Sequence, residues 1–149
     1  MTLKSIKFEE KITVLENQDV VFDYTQDYKN RLEWDTFLQR ADLLDGATKA
    51  GMGVKAYCQA QNGVGIITEY VSFIRPRVTA IKMTSKSPIF KSFMGSWNFH
   101  SLDDKKTEVI FLYSFCLKFP FNMFSKAIKK KLISNVKQRL LDLKKCIED

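Results

Sequence analysis

The apolar residues in the last third of the chain fall on one face of a helix. Phe124, Ile128, Leu132, Val136, Leu140, Leu143 and Ile147 recur at intervals of four, with one interval of three. That is the period of an amphipathic helix. Nearly everything before it reads as strands, rich in β-branched and aromatic residues and broken by turn signals. Runs of strands closed by one helix indicate an α+β fold with an antiparallel sheet. One long helix at the end of a curved antiparallel sheet can enclose a cavity rather than a solid core.

At 149 residues the chain is long enough for one domain, taken as residues 1–149, with a core or a core around a hole. A hydrophobic content of 45%, with 13% aromatic residues, excludes disorder. The 12 Phe suit either a plain core or a greasy cavity wall. Charge is unevenly placed. Residues 118–149 hold nine cations, Arg139 among them, and three acids, so six of the net +7 charges lie there. That face is solvated, or it meets an anionic membrane surface or nucleic acid. Cys58, Cys116 and Cys146 are far apart and show neither metal-ligand spacing nor a disulfide framework. The charged, alternating N-terminal stretch from Met1 to Val14 is unlike a signal or transit peptide. No apolar run approaches the roughly 20 residues of a membrane span. A cytoplasmic, reduced protein is expected.

Ile6, Phe8, Ile12 and Val14 mark a first strand, with an irregularity expected near Glu9 and Glu10. Asn17 is a good N-cap for a short helix reaching about Tyr24. A second short helix is expected over residues 28–38, carrying Trp34 and Phe37, and then a turn at Asp45-Gly46. Strands follow over residues 51–59, 63–74, 78–84, 89–101 and 106–118. Asn62-Gly63 and Asp103-Asp104 mark hairpins, and Arg75-Pro76-Arg77 breaks the run. Alternation puts Phe93, Gly95, Trp97 and Phe99 on one face, with Ser96, Asn98 and His100 opposite. Val109, Phe111, Tyr113 and Phe115 share a face in the last strand. The aromatic faces should look towards the long helix.

In order and spacing, several stretches resemble the START-like, helix-grip superfamily, and within it the small bacterial polyketide cyclase/dehydrase and lipid-transport group. They are Ile12-Thr13-Val14, then residues 20–24 and Trp34, then Gly51-Met52-Gly53, and Tyr70-Val71 leading to Arg75-Pro76-Arg77. Residues 95–99, residues 107–115 and the terminal helix complete the likeness, which covers nearly the whole chain. The resemblance implies a highly curved antiparallel sheet of six to seven strands around the C-terminal helix. It also implies two short helices after the first strand, and a hydrophobic tunnel between sheet and helix. Members bind lipids, sterols, polyketides, hormones or aromatic molecules, and a few are enzymes. The family carries no single catalytic signature, so no catalytic residue transfers.

The residues themselves offer little chemistry. His100, the one histidine, faces away from the aromatic side, which leaves no Ser-His-Asp or Cys-His arrangement. Gly51-Met52-Gly53 lacks the rest of a phosphate loop, and Glu9-Glu10 and Asp103-Asp104 read as solvated pairs. Tyr70, Thr68, Tyr113, Arg75 or Glu69 are the polar groups that could face inward, although Glu69 and Tyr70 point to opposite faces. The candidate ligand-binding residues are Trp34, Tyr70, Met83, Phe93, Trp97, Phe99, Phe111, Tyr113, Phe124 and Ile128. No catalytic residue, metal or cofactor is expected. The partner is a hydrophobic small molecule and not nucleic acid, with weak contact to an anionic membrane surface and a monomeric or dimeric state. Three functions stay open. One is binding or transport of a lipid, polyketide or aromatic compound. Another is a cyclase/dehydrase-like enzyme using one or two polar cavity residues. The third is a membrane- or partner-interacting module using Lys126, Lys129, Lys130, Lys137 and Lys144.

Overall fold

The computed structural model describes residues 5–149, so the first four residues of the charged N-terminal stretch lie outside it. Strand β1 (Ile6–Val14) leads into helix α1 (Gln18–Gln26) and the single turn α2 (Arg31–Trp34). Six strands follow: β2 (Leu38–Leu43), β3 (Lys55–Ala60), β4 (Gly65–Ile74), β5 (Val78–Met83), β6 (Phe90–Asp103) and β7 (Lys106–Leu117). A 3-10 turn (Phe121–Phe124) then feeds the long helix α3 (Ser125–Glu148). The seven strands form one antiparallel sheet in the order β1-β7-β6-β5-β4-β3-β2, curled as a half-barrel around α3. This is the helix-grip arrangement.

Local sequence explains most of these elements. The Asn17 side chain accepts a hydrogen bond from the Asp19 N–H at 2.9 Å and so caps α1. The hairpin at Asp104 and Lys105 sets β6 against β7 with Phe93 opposite Phe115, Gly95 opposite Tyr113, and Trp97 opposite Phe111. These alternate residues share the inner face, while His100 faces water. From α3, Val136, Leu140 and Leu143 are buried in the same apolar cluster.

Four sequence expectations need correction. The helix expected over residues 28–38 shrinks to Arg31–Trp34, and Leu38 opens a strand instead. A bulge between Leu38 and Arg40 lets Leu38 and Ala41, three residues apart, both face inward. That spacing imitates a helix. The irregularity expected at Glu9-Glu10 does not occur, because β1 pairs without interruption from Ile6 opposite Phe115 to Val14 opposite Thr107. Glu10 shares the inner face of β1 but stays half-exposed at the sheet's edge, so its carboxylate keeps water without breaking the ladder. The strand expected from Gly51 begins at Lys55, because Gly53 takes φ 78° and ends the extended run. Phe124, the first residue of the expected stripe, lies 60% exposed. The tighter 3-10 turn shifts the phase, and Phe121 points inward in its place.

Candidate functional site

Between the inner face of the sheet and the first half of α3 lies a cavity of about 370 Å³. Phe93, Gly95, Trp97, Phe111 and Tyr113 on β6 and β7 form one wall. Ala60, Ile66, Thr68 and Tyr70 on β3 and β4 form the next, and Ile128 and Leu132 of α3 cover them. Phe37 and Leu38 close one end. Asn62 and Lys131 are exposed lining residues, so the cavity reaches the surface between the β3–β4 turn and α3. The aromatic side chains are fixed edge to face: Trp97 to Phe111 at 4.4 Å and Phe111 to Tyr113 at 4.7 Å between ring centroids.

One part of the wall is charged. Asp35, fully buried, lies between two buried arginines. Arg139 Nε and Nη2 donate to its two oxygens at 3.0 and 2.8 Å, and Arg31 Nε donates at 2.8 Å. Arg139 Nη1 also donates to the Tyr113 hydroxyl at 2.6 Å, which ties α3 to β7 through the cavity wall. The Arg139 guanidinium lies 5.1 and 5.3 Å from the Phe37 and Phe111 rings. Burial alone would raise the Asp35 carboxyl, but Arg139 and Arg31 together outweigh it and hold its pKa below the ordinary value. Nearby, the Tyr70 hydroxyl donates to Gln26 Oε1 at 2.8 Å and lies 3.4 Å from the Tyr28 hydroxyl. Burial pushes the pKa of Tyr70 well up, and raises those of Tyr28 and Cys58. All three stay protonated at neutral pH.

No curated protein matches the chain in sequence. Residues 5–148 match the profile of the polyketide cyclase / dehydrase and lipid transport family. The chain belongs to that family. Solved structures with the same fold include an aromatase/cyclase from a Streptomyces species. It superposes with a TM-score of 0.83 at 15% identity, over 97% of this chain and 94% of the other. A START superfamily protein from Mycobacterium smegmatis gives 0.72 at 9% identity, over 94% and 98%. Norcoclaurine synthase from Thalictrum flavum gives 0.73 at 7% identity, over 100% and 99%. At these identities the likeness is one of fold.

Of the candidate residues, this polyketide cyclase / dehydrase and lipid transport family member brings six to the cavity: Tyr70, Phe93, Trp97, Phe111, Tyr113 and Ile128. Four are corrected. Trp34 is fully buried behind the wall, 5.9 Å from Trp97 and perpendicular to it. Phe99 lies one step further along β6, where Phe22 of α1 covers it at 5.3 Å. Met83, at the end of β5, packs on the core cluster without reaching the cavity, and Phe124 faces outward. Arg75 is also corrected. It lies half-exposed in an ion pair with Asp23 at 2.7 Å, outside the cavity. Cys58 also lines the cavity, half-buried.

Sequence reasoning missed Arg31, Asp35 and Arg139. For Arg139 there was a signal. It stands three residues after Val136 and four before Leu143, so it lies on the apolar stripe and not behind it. Arg31 and Asp35 are spaced i,i+4, a pairing interval on a helix.

Proposed function

We propose that the protein binds a hydrophobic small molecule, a lipid, polyketide or aromatic compound, in the space between the sheet and α3. The cavity itself carries the reading. Its volume, about 370 Å³, falls within the roughly 300–1,000 Å³ of small-molecule sites. Its walls are mostly apolar, with a few convergent polar groups. Three free cysteines accord with a reducing compartment, the cytoplasm.

Ile128→Trp tests this, because the indole would fill the space beside the opening while the buried half of α3 is untouched. Native mass spectrometry and solvent extraction of the wild type should recover a bound hydrophobic compound. The variant should retain the wild-type fold and carry at least about tenfold less. A wild type that yields no ligand, or a variant that loads equally, would count against binding in this cavity.

A cyclase- or dehydrase-like reaction also needs a group that accepts a proton. Asp35 is ionised, but its oxygens are taken by Arg31 and Arg139. Tyr28, Tyr70 and Cys58 are held protonated by burial. This wall donates hydrogen bonds and supplies positive charge, which favours binding over acid–base catalysis.

A surface feature favours a second reading, contact with an anionic membrane. Phe119, Met123 and Phe124 are exposed around the 3-10 turn whose Phe121 reaches the cavity. Lys118, Lys126 and Lys130 lie beside them in the chain. No described helix is long and apolar enough to cross a membrane, so contact would be superficial. Sedimentation with phosphatidylserine-containing vesicles should exceed that with phosphatidylcholine alone and fall severalfold in Phe124→Glu. Equal sedimentation with both vesicle types would dismiss the contact.

A further inference from the structure

The charged wall of the cavity is unbalanced. Arg31 and Arg139 face a single carboxylate, Asp35, and all three are more than nine-tenths buried. Tyr28, Tyr70 and Cys58, also on this wall, are neutral at pH 7. One positive charge is therefore left without a partner among the described residues of the wall. The two arginines are not equivalent. Arg139 spends Nε and Nη2 on Asp35 and Nη1 on Tyr113. Arg31 gives only its Nε to Asp35, and the other polar side chain its guanidinium approaches is that of Tyr28, a neutral phenol. The Arg31 guanidinium is held in place by the Trp34 and Tyr28 rings, 5.1 and 5.6 Å from their centroids, and it lines the cavity.

A buried cation whose charge is not balanced is costly unless an anion meets it. A guanidinium fork matches a carboxylate with two parallel hydrogen bonds. One surplus charge suits a monoanion better than a doubly charged phosphate ester. Along Trp97, Phe111 and Ile128 the wall is aromatic and aliphatic, which suits an apolar ligand body. Lys131 at the opening adds a cation on the way in.

We propose that the ligand is an organic acid, with its ionised carboxylate on the Nη groups of Arg31 and its apolar body along Trp97, Phe111 and Ile128. This rests on the cavity being a ligand site and narrows what enters it.

Calorimetric titration with matched probes tests the assignment: dodecanoate against dodecanol, and 2-naphthoate against 2-naphthalenemethanol. In at least one pair the acid should bind about tenfold or more tightly than its neutral partner, the worth of a charge-assisted hydrogen bond. The pair that binds tells an aliphatic body from an aromatic one. Arg31→Gln should erase the preference, bringing the affinity for the acid to that for its neutral partner in the same variant. Arg31→Lys, which keeps the charge beside Asp35 but loses the fork, should retain part of it and serves if the glutamine variant does not fold. Equal affinity of acid and neutral partner in the wild type would overturn the acid assignment and leave cavity binding intact. Refusal of all four probes would overturn it too, and cavity binding would then stand or fall with the extraction and Ile128→Trp results.

Discussion

Asp35→Ala should destabilise the protein by about 3–5 kcal/mol in urea unfolding, enough to leave little folded protein at 37 °C. Asp35 is the carboxylate that both Arg31 and Arg139 use, and removing it leaves two buried guanidinium groups facing each other. The loss would be structural as well as electrostatic, since this one side chain joins α2 to α3, and Arg139 continues the chain of contacts to Tyr113 on β7. Asp35→Asn, with the same shape and no charge, should fall between wild type and alanine. A loss below about 1 kcal/mol for Asp35→Ala would mean that water reaches the arginines and that the wall is not buried in solution. Acid should act on the same group. Its pKa is lower in the folded protein than in the unfolded chain, where a carboxyl of this type titrates near about 4. The unfolded state therefore binds the proton first as pH drops. The stabilisation is whole above about pH 4 and disappears as pH falls through the depressed folded value. Unfolding free energy measured against pH should show this slope in wild type and a flatter curve in Asp35→Asn.

Most of the fold could be read in the sequence because it depends on period. The alternation of Phe93, Gly95, Trp97 and Phe99 and the stripe from Ile128 to Ile147 each name an inward face, and the structure places them there. Where the period is broken locally, the reading failed. A bulge disguised β2 as helix, and a 3-10 turn rotated Phe124 out and Phe121 in. The charged wall was missed for a different reason. A count of nine cations treats each as a surface charge, and it conceals the one that lies on the apolar stripe, Arg139. Its partner Asp35 is 104 positions away, so the pairing comes from tertiary structure alone. The size of the cavity was not legible either. Period tells which residues face inward but not whether the space between them is filled.

The two halves of α3 should therefore respond differently to the same substitution. Leu143→Ala should cost about 2–5 kcal/mol, because Leu143 is fully buried in the apolar cluster and its removal opens a hole that nothing fills. Leu132→Ala, three turns earlier on the same stripe, should cost under about 1.5 kcal/mol. Leu132 is half-buried and borders the existing cavity, so truncation widens a space already there and strips fewer packing contacts. Adding a ligand that fills the cavity should narrow the difference, since Leu132→Ala would lose contacts to the ligand and Leu143→Ala would not. Urea unfolding of both variants, with and without ligand, measures this. Similar losses at the two positions would mean that α3 rests on a solid core along its whole length, and the proposal that the protein binds a small molecule beneath it would fail.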